Sequence, residues 1–157
     1  MSLFEPAEIF QFAIRIEENG EKFYRQWSQK LKDTKTKELF SFLADEETKH
    51  KKIYEEMVSM IEKYEPFENY PGEYFAYLRA YADNKIFNQS KLDRELAGVK
   101  DALSAIDFAM DRELDSIVYY QEIKNLVPET HRKSIDNIIM EERKHFLKLS
   151  EIKKLTK

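Results

Sequence analysis

Four stretches of this chain carry apolar residues at alternating steps of three and four, and each stripe is interrupted once by glutamate. The first runs Phe10, Ala13, Glu17, Gly20, Tyr24, Trp27, Leu31; the second Phe40, Leu43, Glu47, His50, Tyr54, Met57, Ile61. The third runs Ile106, Ala109, Glu113, Ser116, Tyr120, Ile123, Val127; the fourth Ile135, Ile138, Glu142, His145, Leu149, Ile152. Such spacing gives a helix one face for a core. A carboxylate in the middle of that face is costly unless it is paired, because low dielectric disfavours its charge. Four of them facing one another would push their coupled pKa values up and destabilise the bundle. No Lys or Arg stands in the stripes, so a metal is the natural counter-charge.

The chain's punctuation sets the number of helices. Pro6 suits a first turn, Asp33 and Thr34 are candidate N-caps, Pro66 and "YPG" (70–72) close the second segment, and Pro128 opens the last. Helices are expected near 6–31, 35–64, 99–126 and 129–154. The first two and the last two are joined by short links and form antiparallel hairpins, with more than thirty residues between the pairs. That crossover contains Tyr74, Tyr77, Leu78 and Tyr81 at helical spacing, which predicts one short amphipathic helix. Its tyrosines either pack on the bundle or a second subunit, or serve electron transfer or gating. The expected fold is all-α: one domain spanning 1–157, a four-helix bundle with a single long crossover, the connectivity of ferritin-like folds.

The two hairpins are copies of one unit. "FAIRIEENGEKFY" (12–24) aligns without gaps on "FAMDRELDSIVYY" (108–120), placing Glu17 over Glu113 and Tyr24 over Tyr120. "EETKH" (46–50) aligns on "EERKH" (141–145), and the spacing from Glu17 to Glu47 is 30 residues against 29 from Glu113 to Glu142. Equal offsets in an antiparallel bundle bring the four glutamates to a similar height. Residues i and i+3 share a helix face, so Glu47 with His50, and Glu142 with His145, can point at one site. Two such pairs plus one glutamate from each remaining helix is the pattern of di-iron and di-manganese carboxylate proteins. Four carboxylates and two neutral imidazoles balance two divalent cations.

With these motifs the whole chain resembles the rubrerythrin-like branch of the ferritin-like superfamily. The resemblance implies that Glu47 and Glu142 bridge two iron ions, Glu17 and His50 completing one and Glu113 and His145 the other. Bacterioferritin ferroxidase centres have a similar six-ligand set. Manganese or zinc would satisfy the same donors. Two departures matter: Ser116 stands where rubrerythrins usually carry a further carboxylate, and the chain has no Cys for a rubredoxin iron.

The expected activity is reduction of hydrogen peroxide or dioxygen at a di-iron centre, with Glu17, Glu47, Glu113 and Glu142 as candidate catalytic residues as well as ligands. Electrons would come from an external donor such as a rubredoxin-type protein. The same ligands would also serve a ferroxidase or iron-storage protein, or a non-catalytic interaction bundle stabilised by metal. Gly20 and Ser116 stand where the other two stripes have histidine; they either leave coordination space for an oxygen species or allow close helix packing. Tyr24 and Tyr120 either hydrogen-bond the ligand carboxylates or fill the core. His131 lacks the motif and is expected at an exposed helix start.

Absence of Cys excludes disulfides, thiolate metal sites and cysteine nucleophiles. A net charge of −4 with cations dispersed among the acids argues against nucleic acid as a partner. The start "MSLFEPAEIF" has neither the basic residues nor the apolar run of a signal peptide, and no stretch reaches membrane-span length. A cytoplasmic homodimer is expected.

Overall fold

Side-chain caps fix where two of the long helices begin. Asp33 Oδ2 accepts hydrogen bonds from the Thr36 backbone N–H (2.9 Å) and hydroxyl (2.8 Å). Asp101 Oδ1 accepts from the Ser104 N–H (2.9 Å) while Ser104 Oγ accepts from the Asp101 N–H (3.1 Å), a reciprocal capping box. The computed structural model describes residues 6–61, 72–85 and 89–156. Its helices are α1 (Pro6–Lys30), α2 (Thr34–Ile61), α3 (Gly72–Lys85), α4 (Gln89–Ala97), α5 (Ala102–Ile123) and α6 (Glu129–Leu155).

The four long helices match the expected ones over the described residues, with α5 shorter at both ends; residues 62–64, the expected end of the second, lie outside them. The capping box sets its start at Ala102 rather than near 99. At its other end Lys124–Leu126 tightens into a 3₁₀ turn, and Val127 is extended (φ −116°, ψ 157°). An extended backbone is what a residue preceding proline favours. Pro66, Tyr70 and Pro71, read as terminators, lie outside the described residues.

Among its described residues the crossover holds two short helices where one is expected. Helix α4, "QSKLDRELA", escaped notice because Leu92 and Leu96 are its only large apolar residues and none of its residues is buried. In α3, Leu78 and Ala82 are buried and Tyr81 is half-buried, whereas Tyr77 faces solvent at 47% exposure. The side chain of Tyr74 is outside the described residues. Tyr81 stacks on Tyr119 (centroids 5.7 Å apart) and donates its hydroxyl to the Asp115 carbonyl (2.6 Å). Arg79 pairs with Glu8 of α1, and Arg112 of α5 donates to the Lys85 carbonyl. The crossover therefore lies over the side of the bundle where α1 and α5 meet.

Helix α1 packs mainly on α2, and α5 on α6; α1 also meets α5, and α2 meets α6. The apolar stripes close into two cores. One holds Phe10, Ala13, Tyr54, Tyr120, Ile135 and Ile138; the other Tyr24, Phe40, Leu43, Ile106, Ala109 and Leu149. Burying each large side chain contributes about 1.5–3 kcal/mol. Between the two cores runs the layer of glutamates and histidines. Among the described residues no helix is long and apolar enough to cross a membrane.

Candidate metal centre

One turn of each long helix supplies this polar layer. Glu17 comes from α1, Glu47 and His50 from α2, Glu113 from α5, and Glu142 and His145 from α6. None of the six is more than 5% exposed. Ligand atoms of Glu47, Glu113, Glu142 and His145 lie within 4.8 Å of one another, as do those of Glu17, His50 and Glu142. Glu142 belongs to both groups. The structure thus gathers all six residues singled out by the stripes, and divides them into two overlapping sets.

The imidazoles turn Nδ1 inward. His50 Nδ1 is 2.8 Å from Glu142 Oε1 and 3.6 Å from Glu17 Oε1. His145 Nδ1 is 3.6 Å from Glu142 Oε2 and 3.8 Å from Glu113 Oε2. Glu17 Oε2, His50 Nδ1, Glu113 Oε2, Glu142 Oε1 and His145 Nδ1 are all buried without a hydrogen bond of proper geometry. Lone buried polar atoms of this kind cost about 1–3 kcal/mol each, more for charged groups. Five of them converging from four helices is the signature of a site completed by a cation, and oxygen and nitrogen donors suit iron, manganese or zinc.

Burial and mutual charge drive the proton affinities of these groups apart. Burial, and then the neighbouring charges of Glu17 and Glu142, raise the Glu47 carboxyl well above the usual range. Burial followed by the Glu142 charge does the same to Glu113. For Glu142 burial works in that direction too, but contacts with Glu113, His145 and His50 outweigh it and hold the carboxyl well below its ordinary value. Burial disfavours a charged His50, yet Glu17 and Glu142 prevail and push it up to about 12.

A second layer surrounds the first and crosses between the hairpins. Tyr24 of the first hairpin donates to Glu113 Oε1 of the second (2.6 Å), and Tyr120 donates to Glu17 Oε1 (2.5 Å). Both tyrosines are core residues and carboxylate partners at once. The outer nitrogens follow the same exchange: His50 Nε2 lies 2.5 Å from Glu141 Oε2, and His145 Nε2 lies 4.0 Å from Glu46 Oε2. The first glutamate of each pentad thus faces the histidine of the other. Sequence reading missed Glu46 and Glu141, although both pentads open with a doubled glutamate. A carboxylate on the outer nitrogen fixes the ring and tautomer of a ligating histidine.

Gly20 and Ser116 lie on the side away from the histidines. A Cβ at Gly20 would stand 2.8 Å from Glu47 Oε2 and 3.1 Å from Glu47 Cδ, so glycine is what admits that carboxylate against α1. Ser116 turns its hydroxyl back to the Arg112 carbonyl (2.9 Å). Both residues line a cavity of about 40 Å³ with Glu47, Glu113, Tyr81, Lys85 and Arg112. Gly20 thus allows close packing of Glu47, while both residues border the cavity. His131 is half-buried, not exposed, in the first turn of α6, and does not join the cluster.

The rubrerythrin family model matches residues 8–153. A solved structure described as a ferritin-like diiron-carboxylate protein from Thermotoga maritima is 30% identical, with a TM-score of 0.69, and the match covers 96% of this chain and 95% of that one. No curated protein matches the chain. From the duplicated carboxylate–histidine motifs, the bundle that gathers them and the family match over nearly its whole length, the chain belongs to the rubrerythrin family.

Proposed function

We propose that the chain holds two iron ions and reduces hydrogen peroxide or dioxygen, drawing electrons from an external donor such as a rubredoxin-type protein. The observation that carries this reading is the shared position of Glu142 in two overlapping ligand groups, one with Glu17 and His50, the other with Glu47, Glu113 and His145. A residue common to both groups is placed to bridge two ions. Glu47 would help hold the ions from the Glu113 and His145 group, and the resemblance implies that it is shared between them as Glu142 is. When bound, a pair of ferrous ions supplies the two electrons that reduce hydrogen peroxide to two waters, or dioxygen to peroxide.

The chain's own residues orient and shelter that chemistry. Tyr24 and Tyr120 hold Glu113 and Glu17 by hydrogen bonds to one oxygen each, leaving the other oxygen, Oε2, free for an ion. Glu141 engages the outer nitrogen of His50, leaving its Nδ1 toward the cluster, and the Nδ1 of His145 also faces Glu113 and Glu142. The two cores flank the layer along the bundle axis. Lys85 and Arg112 line the small cavity beside Glu47 and Glu113, each paired with an acid, Lys85 with Asp115 (3.8 Å) and Arg112 with Glu95 (3.5 Å). Residues 1–157 include no Cys to hold a rubredoxin-type iron, and in this reading the electrons come from a separate donor.

The test is to load the metal-free protein with ferrous iron under nitrogen, remove free metal, count iron, and mix with hydrogen peroxide in a stopped-flow instrument. About two iron ions per chain and oxidation much faster than that of free ferrous iron are expected. Retention of no iron, or oxidation no faster than in buffer, would refute the proposal.

A further inference from the structure

The metal cluster is closed on one side and approachable on the other. Where α2 meets α6, the imidazoles of His50 and His145 stack at 5.9 Å, with Glu141 and Glu46 at their outer nitrogens. Where α1 meets α5, the corresponding positions are Gly20 and Ser116, and the cavity of about 40 Å³ opens instead. Outside it lies a larger chamber of about 400 Å³, walled by α1, α4 and α5 through residues that include Phe23, Leu92, Leu96 and Phe108. The two spaces adjoin, since Asn19, Gly20, Tyr24 and Arg112 line both. The inner one ends on Glu47 and Glu113, with Tyr81 of α3 in its wall.

Its size is selective. A water-sized molecule needs about 10–15 Å³ on this measure, so the inner cavity has room for about three. Hydrogen peroxide and dioxygen, with two heavy atoms each, fit. A branched organic hydroperoxide does not.

Building on the proposed peroxide or dioxygen chemistry, we propose that the chamber between α1, α4 and α5 is the route by which a small uncharged oxidant reaches the Glu47 and Glu113 side of the cluster, and that the inner cavity bars branched organic hydroperoxides. The crossover helices then do more than connect the hairpins. Helix α4 forms the outer wall through Leu92 and Leu96, and α3 contributes the inner wall through Tyr81, which is held by its hydrogen bond to Asp115 and its stack on Tyr119.

Nitric oxide, a small uncharged ligand whose binding needs no turnover, tests the route. Its association with the ferrous-loaded protein is followed by stopped-flow absorbance for wild type, Leu92→Trp and Ser116→Leu. Leu92 lies in the outer wall away from the six-residue cluster, and Ser116→Leu fills the inner cavity. Both variants are expected to keep the wild-type iron count and to slow association by about tenfold or more. If Ser116→Leu loses iron, Leu92→Trp decides alone. Wild-type association rates in a plugged variant with a full iron count would overturn the route. Equal reaction rates with hydrogen peroxide and tert-butyl hydroperoxide would overturn the size limit. Failure of wild type to retain iron, or to react with any peroxide, instead sinks the functional reading, while the nitric oxide rates of iron-loaded protein judge the route separately.

Discussion

Replacing Gly20 with alanine separates the stability of the bundle from the geometry of its metal site. In the interior of a helix alanine is favoured over glycine by about 1 kcal/mol. Against this gain, the new Cβ would stand 2.8 Å from Glu47 Oε2 and 3.1 Å from Glu47 Cδ. Ordinary contact requires about 3.5 Å, so the carboxylate must retreat by roughly 0.7 Å. What it meets is the end of a side chain with rotatable bonds rather than a backbone, so the metal-free fold can yield. Its stability should change by less than about 1 kcal/mol in either direction. A metal bridge has no such freedom: a displaced Glu47 carboxylate should weaken iron binding by about tenfold or more, about 1.4 kcal/mol. Urea unfolding of the metal-free protein and anaerobic calorimetric titration with ferrous iron measure the two effects independently. Unaltered iron stoichiometry and affinity in Gly20→Ala would show that the position of the Glu47 carboxylate against α1 does not matter for metal, and the bridging role would fall with it.

Glu142→Ala should lower affinity for both ions, because Glu142 is the residue shared by both ligand groups; two ions bound per chain with wild-type affinity would contradict the bridge. Glu141→Gln should reduce metal affinity by roughly 10- to 100-fold. Its effect should fall on His50, which it faces, so the NMR signals of the His50 ring should move more than those of His145. Phe40→Ala, at a side chain with no exposure, should cost about 3–5 kcal/mol in chemical unfolding. Asp101→Ala removes a cap whose hydrogen bonds from the Ser104 backbone and hydroxyl lower the Asp101 pKa. A depressed folded pKa stabilises the native state above the unfolded value and ceases to do so as pH falls through the folded one. The wild type should therefore be more stable than Asp101→Ala at neutral pH, and the two should converge in acid; a pH-independent gap in thermal melts would contradict this.

The four long helices and the six clustered residues could be read from the sequence because each depends on a local period. Six or seven positions per stripe define which face is inward, and a carboxylate on that face stands out by its chemistry. What could not be read depends on partners distant in the chain. Tyr24 bonds Glu113 across 89 residues and Tyr120 bonds Glu17 across 103, and neither stripe by itself distinguishes a partner hydroxyl from core filling. Glu46 and Glu141 were invisible for a different reason. They lie one residue off the stripe, where an acidic residue normally belongs to solvent, and only the apposition of α2 and α6 turns them toward histidine. Helix α4 offers too few apolar residues for a period, and its role as a wall depends on the bundle already being in place.

The long-range contacts also explain why the duplicated halves cannot be treated as two separate sites. Each hairpin supplies a glutamate, a further glutamate and a histidine, yet the groups that hold these in place come from the other hairpin: Tyr120 for Glu17, Tyr24 for Glu113, Glu141 for His50. A hairpin isolated from its copy would keep its own acidic stripe and lose the hydroxyls that restrain it, with buried carboxylates left against water or one another. In the proposed assignment, this exchange of supports ties metal binding to assembly of the whole bundle, because neither ligand group is complete until the two hairpins meet. The two contacts between them have opposite character. The α2 and α6 contact is filled by imidazoles and the α1 and α5 contact is left open by glycine and serine. An otherwise twofold-like cluster thereby gains a closed back and an approachable front, and the departure from the family's carboxylate at Ser116 falls on the front.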